Sequence, residues 1–505
     1  MIGRGSWLSR GRPAKLAVPT VWAIGGSDSG GGAGLQADVR TIHGLGAHAC
    51  TIVTAVTAQS SRGVNGIWPV PGEGIEAQWR ALESDLPPKA VKIGMVPSTD
   101  HARMLARLMA GATAPIIFDP VLSASAGGTL ADDATRSVIV GELLPLVNVL
   151  TPNLDEASAL LGIETLTSTQ SIEAAARDLA ALGPKTVVIK GGHGSGSLAQ
   201  ECVFHHGRIF WLSNDRLPSE NTHGTGCTFA SAIAAAIASG FSVVDAIIVA
   251  KMFVSAAIRD SYQAGAGRGP VAQGRWPEEE ADLPWLTPTS EAAFSRPRFP
   301  RLGQSLGLYA IVDSADWVER LLGSGVGAIQ LRVKTLQGDA LRHEIARAIR
   351  IARDSPVPLF INDYWQLAVE FGAFGVHLGQ EDLETADFTA IQSAGLRLGL
   401  STHCYEELAR AHALRPSYIA IGPIFETKIK VMKFAPQGVP ALRRWRKTLA
   451  SYPLVAIGGI DTSTITEVAT TGVDSVAVIR AITQATEPLR AVRELVARMH
   501  ASAHS

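Results

Sequence analysis

The chain has 505 residues, 46% of them hydrophobic and 18% charged, with a formal charge of −1. It is too long for one ordinary domain, apolar enough to bury sizeable cores, and too near neutrality to suggest a nucleic-acid or anionic-membrane partner. Cys50, Cys202, Cys227 and Cys404 are scattered without a CxxC pair, so neither a disulfide framework nor a zinc site is indicated, and the cytoplasm is the expected setting. No uninterrupted apolar run reaches the roughly 20 residues that a bilayer span requires.

Residues 1–19 carry Arg4, Arg10, Arg12 and Lys15 with no acid and lack the apolar core of a secretory signal. They read as a frayed basic terminus, with a transit peptide as the alternative. From residue 20, the runs "TVWAIGG", "AVKIGM", "PIIFDPV", "VNVLTPN" and "KTVVIKGG" alternate with helical patterns. That alternation predicts a mostly parallel sheet covered by helices, over 20–275.

Three motifs in this stretch carry chemistry. "GGSDSGGGAGLQAD" at 25–38 is a glycine loop without the following GK[ST] of a P-loop, so it reads either as a backbone cover for a small flat ligand or as a plain strand-to-helix turn. "TPNLDEA" at 151–157 puts Asn153 and Glu156 on one helix face, suited to Mg²⁺ waters near a triphosphate or, equally, to a helix cap. "GTGC" at 224–227 opens an alanine-rich helix, where unpaired N–H groups and the helix dipole converge on an anion. Cys227 is then either a thiol with a lowered pKa, acting near the transferred group, or a small buried side chain.

In this order, "GSDSGGGAGLQADVRT", "TAVTAQ", "KIGM", "DPV", "TPNLDEA", "KGGH", "NTHGTGC" and "GRGPV" resemble the hydroxymethylpyrimidine and phosphomethylpyrimidine kinases of the ribokinase-like fold. The resemblance implies an α/β sandwich and two successive ATP-dependent phosphorylations. It implies that Gln59, with Gly26, Asp38 and Met95, meets the aminopyrimidine. Lys190 and Asp119 would meet nucleotide phosphate and metal, with Asn153, Glu156, Gly224 and Gly226 completing the nucleotide side and Cys227 near the attacking hydroxyl. It also implies that this half self-associates as a homo-oligomer. A pyridoxal-type specificity is a rival, against which Gln59 argues.

Pro270, Pro277, Pro284, Pro288, Pro297 and Pro300 mark an extended connector, assigned to 276–305, with Trp276 and Trp285 expected to pack it on a neighbour. From 306 to 505, eight strand-like runs are each followed by a helix-length segment: "LYAIV", "AIQLR", "PLFIND", "GVHLG", "RLGLS", "YIAIG", "LVAIGG" and "SVAVIRA". This predicts a closed (β/α)₈ TIM barrel, with its chemistry where strands end. Those ends carry Gln330, Arg332, Lys334, Asn362, Asp363, Asp382, Ser401, His403, Thr427, Lys430, Gly458, Gly459, Ile479 and Arg480. Two carboxylates beside an amide suit Mg²⁺, the cations suit a phosphate-rich ligand, and the glycine loops suit a second phosphate.

"QLRVK", "NDYWQLA", "GVHLGQEDL", "STH", "PSYIAIGPIFETKIK", "APQG" and "VAIGGI" resemble thiamine-phosphate synthase across 306–490. The resemblance implies joining of hydroxymethylpyrimidine diphosphate to thiazole phosphate. It makes Asp363 and Asp382 the Mg²⁺ ligands, and Gln330, Arg332, Lys334, Asn362, Ser401, Thr427 and Lys430 ligand-binding residues, with Arg332 and Lys430 the catalytic cations and Gly459, Ile479 and Arg480 at the second phosphate. Ile429 and Arg480 stand where a threonine and a serine are expected. A catalytically silent barrel on an active kinase is therefore the alternative to a bifunctional enzyme.

Overall fold

The computed structural model describes residues 18–122, 131–191, 196–427 and 435–501. The basic stretch 1–17 and Lys430 lie outside them. The first ten strands are β1 (Thr20–Asp28), β2 (His48–Ser60), β3 (Gly63–Pro69), β4 (Ala90–Ile93), β5 (Ile116–Phe118), β6 (Val149–Leu150), β7 (Thr186–Lys190), β8 (Leu198–His205), β9 (Arg208–Asp215) and β10 (Trp285–Thr287). They form one sheet in the order β10-β9-β8-β7-β6-β5-β4-β1-β2-β3. The centre, β2 to β7, is parallel, whereas β3, β8, β9 and β10 join antiparallel.

Both faces of the centre are covered. Along β1, Val21 and Ala23 enter one apolar cluster while Trp22 and Ile24 enter another, the period-2 alternation of a strand between two helical layers. This explains why β1 reads as a continuous apolar run. The antiparallel strands were not among the predicted runs. β8 and β9 meet in a tight hairpin turned by His206 and Gly207, both at positive φ. β10 comes from the proline-rich connector, so the connector supplies the sheet's last strand.

The remaining strands are β11 (Gly307–Val312), β12 (Ala328–Leu331), β13 (Leu359–Asn362), β14 (Gly375–Leu378), β15 (Arg397–Thr402), β16 (Tyr418–Ile421), β17 (Leu454–Ile457) and β18 (Ser475–Val478). All pair in parallel, and β18 closes on β11 as a barrel. Tyr309, Ile311, Phe360, Tyr418 and Val455 fill the interior; Leu308, Ala310, Ile329 and Leu331 point outward to the helices.

Candidate active sites at two sets of strand ends

The first site gathers at the C-terminal end of the parallel strands. β1 ends at Asp28, whose carboxylate accepts N–H bonds from Gly30 at 2.8 Å, Gly32 at 3.0 Å and Ala33 at 2.7 Å. These pin the glycine loop at the start of the helix Gly34–Gly44. Burial pushes the Asp28 carboxyl up, but the His223 hydrogen bond and the loop amides outweigh it and hold the pKa below its ordinary value. His223 Nε2 lies 3.4 Å from Asp28 and 3.2 Å from Gln59 Nε2. A Cβ at Gly32 would fall 2.3 Å from the His223 ring, and one at Gly224 2.1 Å from the Gly32 carbonyl. The glycine loop and "NTHGTGC" are thus pressed together, which only glycine allows. Gly26 lies against Met95, with Sδ 3.0 Å from where its Cβ would be.

The helix Thr225–Ala238 starts at Gly224, in the left-handed region with no side-chain cap. On its first turn, a Cβ at Gly226 would lie 3.3 Å from both Asp119 Oδ2 and Lys190 Nζ. Lys190 Nζ is 2.7 Å from Asp119 Oδ1. Burial opposes the Lys190 charge, but Asp119 and Glu156 more than restore it and raise the pKa. A half-buried ammonium, open helix amides and the dipole therefore face one spot, which is an anion cradle.

Two sequence expectations change here and one open reading is decided. Asp38, expected at the pyrimidine, is fully buried: both oxygens lie 2.9 Å from Lys92 Nζ and Oδ1 is 2.7 Å from Ser231 Oγ. It is part of a core ion pair and has no surface for a ligand. Asn153 and Glu156 form a reciprocal capping box on the helix Leu154–Leu161, with bonds of 2.8 Å and 2.7 Å. Of the two readings their spacing allowed, the cap is the one seen. Burial raises Glu156 to about 7, Lys190 opposing and Asp119 adding to it. Cys227 also departs: burial lifts its thiol to about 11, against the lowering by Lys92 and the Gly34 amide. Desolvation beats the helix dipole, so a thiol stands there at neutral pH.

The second site lies at the ends of the barrel strands. β13 ends at buried Asn362, followed by Asp363 at φ 64, a left-handed conformation that aspartate tolerates better than most residues. Lys334, after β12, is ion-paired to Asp363. Asp382 Oδ2 accepts the Gly379 N–H at 2.8 Å. Burial, then the neighbouring Asp363 carboxyl, raises the Asp382 pKa against that amide and Lys334. Arg332 is half-buried on the same rim.

Beneath the rim runs a chain of hydrogen bonds that sequence reading missed. Gln330 Nε2 donates to Tyr309 Oη at 3.2 Å, Tyr309 and Tyr418 hydroxyls are 2.9 Å apart, and Tyr418 Oη is 2.7 Å from His377 Nδ1. His377 Nε2 is 2.8 Å from Ser401 Oγ. Burial holds His377 down to about 4, so it is a neutral imidazole, fixed between Tyr418 and Ser401. The signal was a histidine and two tyrosines at inward positions of otherwise apolar strands. On the far rim, Gly458 and Gly459 have φ of 99 and 69, and a Cβ at Gly459 would lie 2.7 Å from the Glu426 carbonyl. That brings the loop after β17 against the segment leading to Thr427. Ile479 sits at the N-cap position of the short helix Arg480–Thr483 without a side-chain cap, and Arg480 is half-buried.

A family with this architecture implies Mg²⁺. Among the described residues no three His, Cys, Asp or Glu side chains cluster as a metal cage. Mg²⁺ needs only one or two carboxylates when phosphate and water complete its shell. Asp363 and Asp382, two acids in hydrogen-bond contact with Asp363 raising the proton affinity of Asp382, fit such an ion.

A ribokinase-like phosphotransferase joined to a (β/α)₈ transferase is the class that these two sites define. The phosphomethylpyrimidine kinase family matches residues 28–272, and the thiamine monophosphate synthase family matches 308–482. The chain is 35% identical over 484 residues to the probable chloroplastic thiamine biosynthetic bifunctional enzyme of Oryza sativa, covering 93% of this chain and 86% of that one. It is 54% identical over 200 residues to thiamine-phosphate synthase of Yersinia pseudotuberculosis, covering 40% of this chain and 93% of that one. Among solved structures, Staphylococcus aureus pyridoxal kinase in complex with AMP-PCP is 30% identical with a TM-score of 0.50, covering 54% of this chain and 99% of that chain. The chain belongs to the family of bifunctional thiamine biosynthetic enzymes that carry a pyrimidine kinase and a thiamine-phosphate synthase.

Proposed function

We propose that the first half phosphorylates hydroxymethylpyrimidine and then its monophosphate with ATP, and that the second half joins the resulting diphosphate to hydroxyethylthiazole phosphate. The observation that carries this reading is the placement of the Asp363–Asp382 pair with Lys334 at the mouth of a closed barrel, in a chain whose other half ends in an anion cradle. AMP-PCP bound to the structural neighbour supports ATP as the phosphoryl donor.

In the kinase, Gln59, held by His223 and Thr57, orients the pyrimidine; Lys190 and the helix amides bind the transferred phosphoryl group. Phosphoryl transfer is loose and needs positioning and charge neutralisation more than a strong base. The Cys227 thiol accordingly holds the attacking hydroxyl. In the barrel, Asp363 and Asp382 would hold Mg²⁺, which would supply neutralisation of the diphosphate charge. Arg332 and Lys334 bind the diphosphate oxygens as the methylene C–O bond breaks and the charge develops on the leaving group. Gln330, Asn362 and Ser401 hold the pyrimidine ring, and neutral His377 fixes the Ser401 hydroxyl without adding a positive charge beside the pyrimidine methyl cation. The thiazole nitrogen then forms the C–N bond and becomes the quaternary nitrogen of thiamine phosphate.

Self-association of the kinase half belongs to the proposal. The cross-strand pair Val56 and Trp68, 49% and 60% exposed on the edge hairpin, supports it, and sedimentation tests it. The functional test is a coupled assay with hydroxymethylpyrimidine, ATP, Mg²⁺ and thiazole phosphate. Wild type makes thiamine phosphate, while Asp363→Ala stops at the pyrimidine diphosphate. Thiamine phosphate at the normal rate from Asp363→Ala would overturn the metal assignment.

A further inference from the structure

The helix Tyr405–Leu414 follows β15, the strand that delivers Ser401 to the synthase site. Its N-cap position is Cys404, extended at φ −151 and ψ 175, which makes no side-chain cap. A cysteine at this position is a weak acceptor that faces the Glu407 N–H, which leaves the Glu406 N–H to an acceptor from elsewhere. The missing acceptor comes from the other domain: Asp245 Oδ1, on the kinase helix Val243–Arg259, takes the Glu406 N–H at 2.8 Å. Glu406 is the second residue of its helix, one of the two positions that an N-cap oxygen normally serves. Asp245 is 8% exposed and also hydrogen-bonds the Cys404 side chain. Its own helix is capped by Ser242, which accepts the Asp245 N–H at 3.1 Å and whose side chain also hydrogen-bonds the Asp245 carboxylate.

The segment this cap holds is the rim of the synthase site. His403 N–H donates to Glu407 Oε2 at 2.7 Å, and His403 Nδ1 is 2.7 Å from the same oxygen. Gln437, at the start of the helix after β16, donates to the His403 carbonyl at 2.6 Å. The surroundings are fixed across the domain boundary as well: Arg208 pairs with Glu406, and Trp276 Nε1 donates to Tyr405 Oη at 3.1 Å. Val244, Ile247 and Ile248 of the kinase share one apolar cluster with Tyr405, Leu408 and Ala411 of the barrel. The kinase's own cradle lies at the other end of the helix Thr225–Ala238, about 20 Å along its axis.

We propose that Asp245 of the kinase domain supplies the N-capping carboxylate of the barrel helix and is a positioning residue for the synthase site. This rests on reading the barrel mouth as that site. The test uses the full chain, with synthase assayed on supplied pyrimidine diphosphate and thiazole phosphate, kinase assayed separately, and hydrogen exchange followed at the Glu406 amide. Asp245→Ala is expected to speed Glu406 exchange about 3- to 30-fold, the factor that a lost N-cap is worth. Synthase kcat/KM is expected to fall by roughly threefold or more for the same reason, with kinase kcat/KM unchanged. Adding Cys404→Ser, which gives the barrel a cap of its own, restores exchange and synthase rate together. Wild-type exchange in Asp245→Ala, or a loss that Cys404→Ser does not restore, overturns the proposal. If wild type makes no thiamine phosphate, the synthase reading fails, and the Glu406 exchange still decides the cap.

Discussion

Removing the Asp38 carboxylate separates a ligand role from a structural one. Lys92 is 1% exposed and its ammonium has both Asp38 oxygens at 2.9 Å. Asp38→Ala leaves that charge buried with no counter-ion and strips Ser231 of its acceptor. Breaking a buried pair from one side costs about 3–5 kcal/mol, a large part of the 5–15 kcal/mol that holds a typical domain together. For a domain of this size that lowers Tm by about 6–20 °C. Replacing both partners by apolar residues, Asp38→Leu with Lys92→Met, removes the charge instead of orphaning it and should recover most of the loss. Calorimetry of the single and double variants, with KM for the pyrimidine at a temperature where each is folded, is the assay. The reasoning is refuted if Asp38→Ala melts with wild type while its pyrimidine KM rises, because that is the signature of a ligand contact.

Two further outcomes follow from the buried titrating groups. His377 and His412 are held down to about 4 and about 3, burial being the largest cause, with Arg332 adding to it for the first and Arg296 for the second. Below pH 6.5 the unfolded chain gains protons that the folded one refuses, so stability falls with pH by about 1.4 kcal/mol per unit for each histidine, until the folded histidine itself protonates. Urea unfolding across this window should show a shallower slope in His412→Gln, and an unchanged slope would remove His412 from the account. Cys227, lifted to about 11, should be alkylated at neutral pH at least about 100-fold more slowly than an ordinary thiol, and faster as pH rises. Rapid alkylation at pH 7 would restore the thiolate reading.

The sequence disclosed what is periodic and local. Buried strands of both domains appear as apolar runs, and the glycines of 25–34 and 224–226 announce backbone contacts that a side chain would block. Partnerships formed over long separations were hidden. Nothing in "LQADVR" shows that Asp38 will meet Lys92, fifty-four positions on, beneath the site and not in it. The Asn153–Glu156 spacing serves a metal and a cap equally well, and only the N–H directions decide between them. His377 and Tyr418 lie in strands whose inward face is set by closure of the barrel, so the chain from Tyr418 through His377 to Ser401 was not legible from either strand alone. Cys227 shows the same limit in energy: the helix start was visible, but the burial that outweighs it was not.

The strand β10 has a consequence for synthesis and dissection of the chain. It lies at Trp285–Thr287, beyond residue 272 where the kinase family match ends, and pairs with β9 from Thr287↔Trp211 to Trp285↔Ser213. A ribosome must therefore deliver the connector before the kinase sheet has its final edge, so the first domain finishes folding only as the second begins to emerge. A kinase fragment cut at 275 leaves the β9 edge open to strand exchange with other chains, whereas one extended past Thr287 keeps its native border.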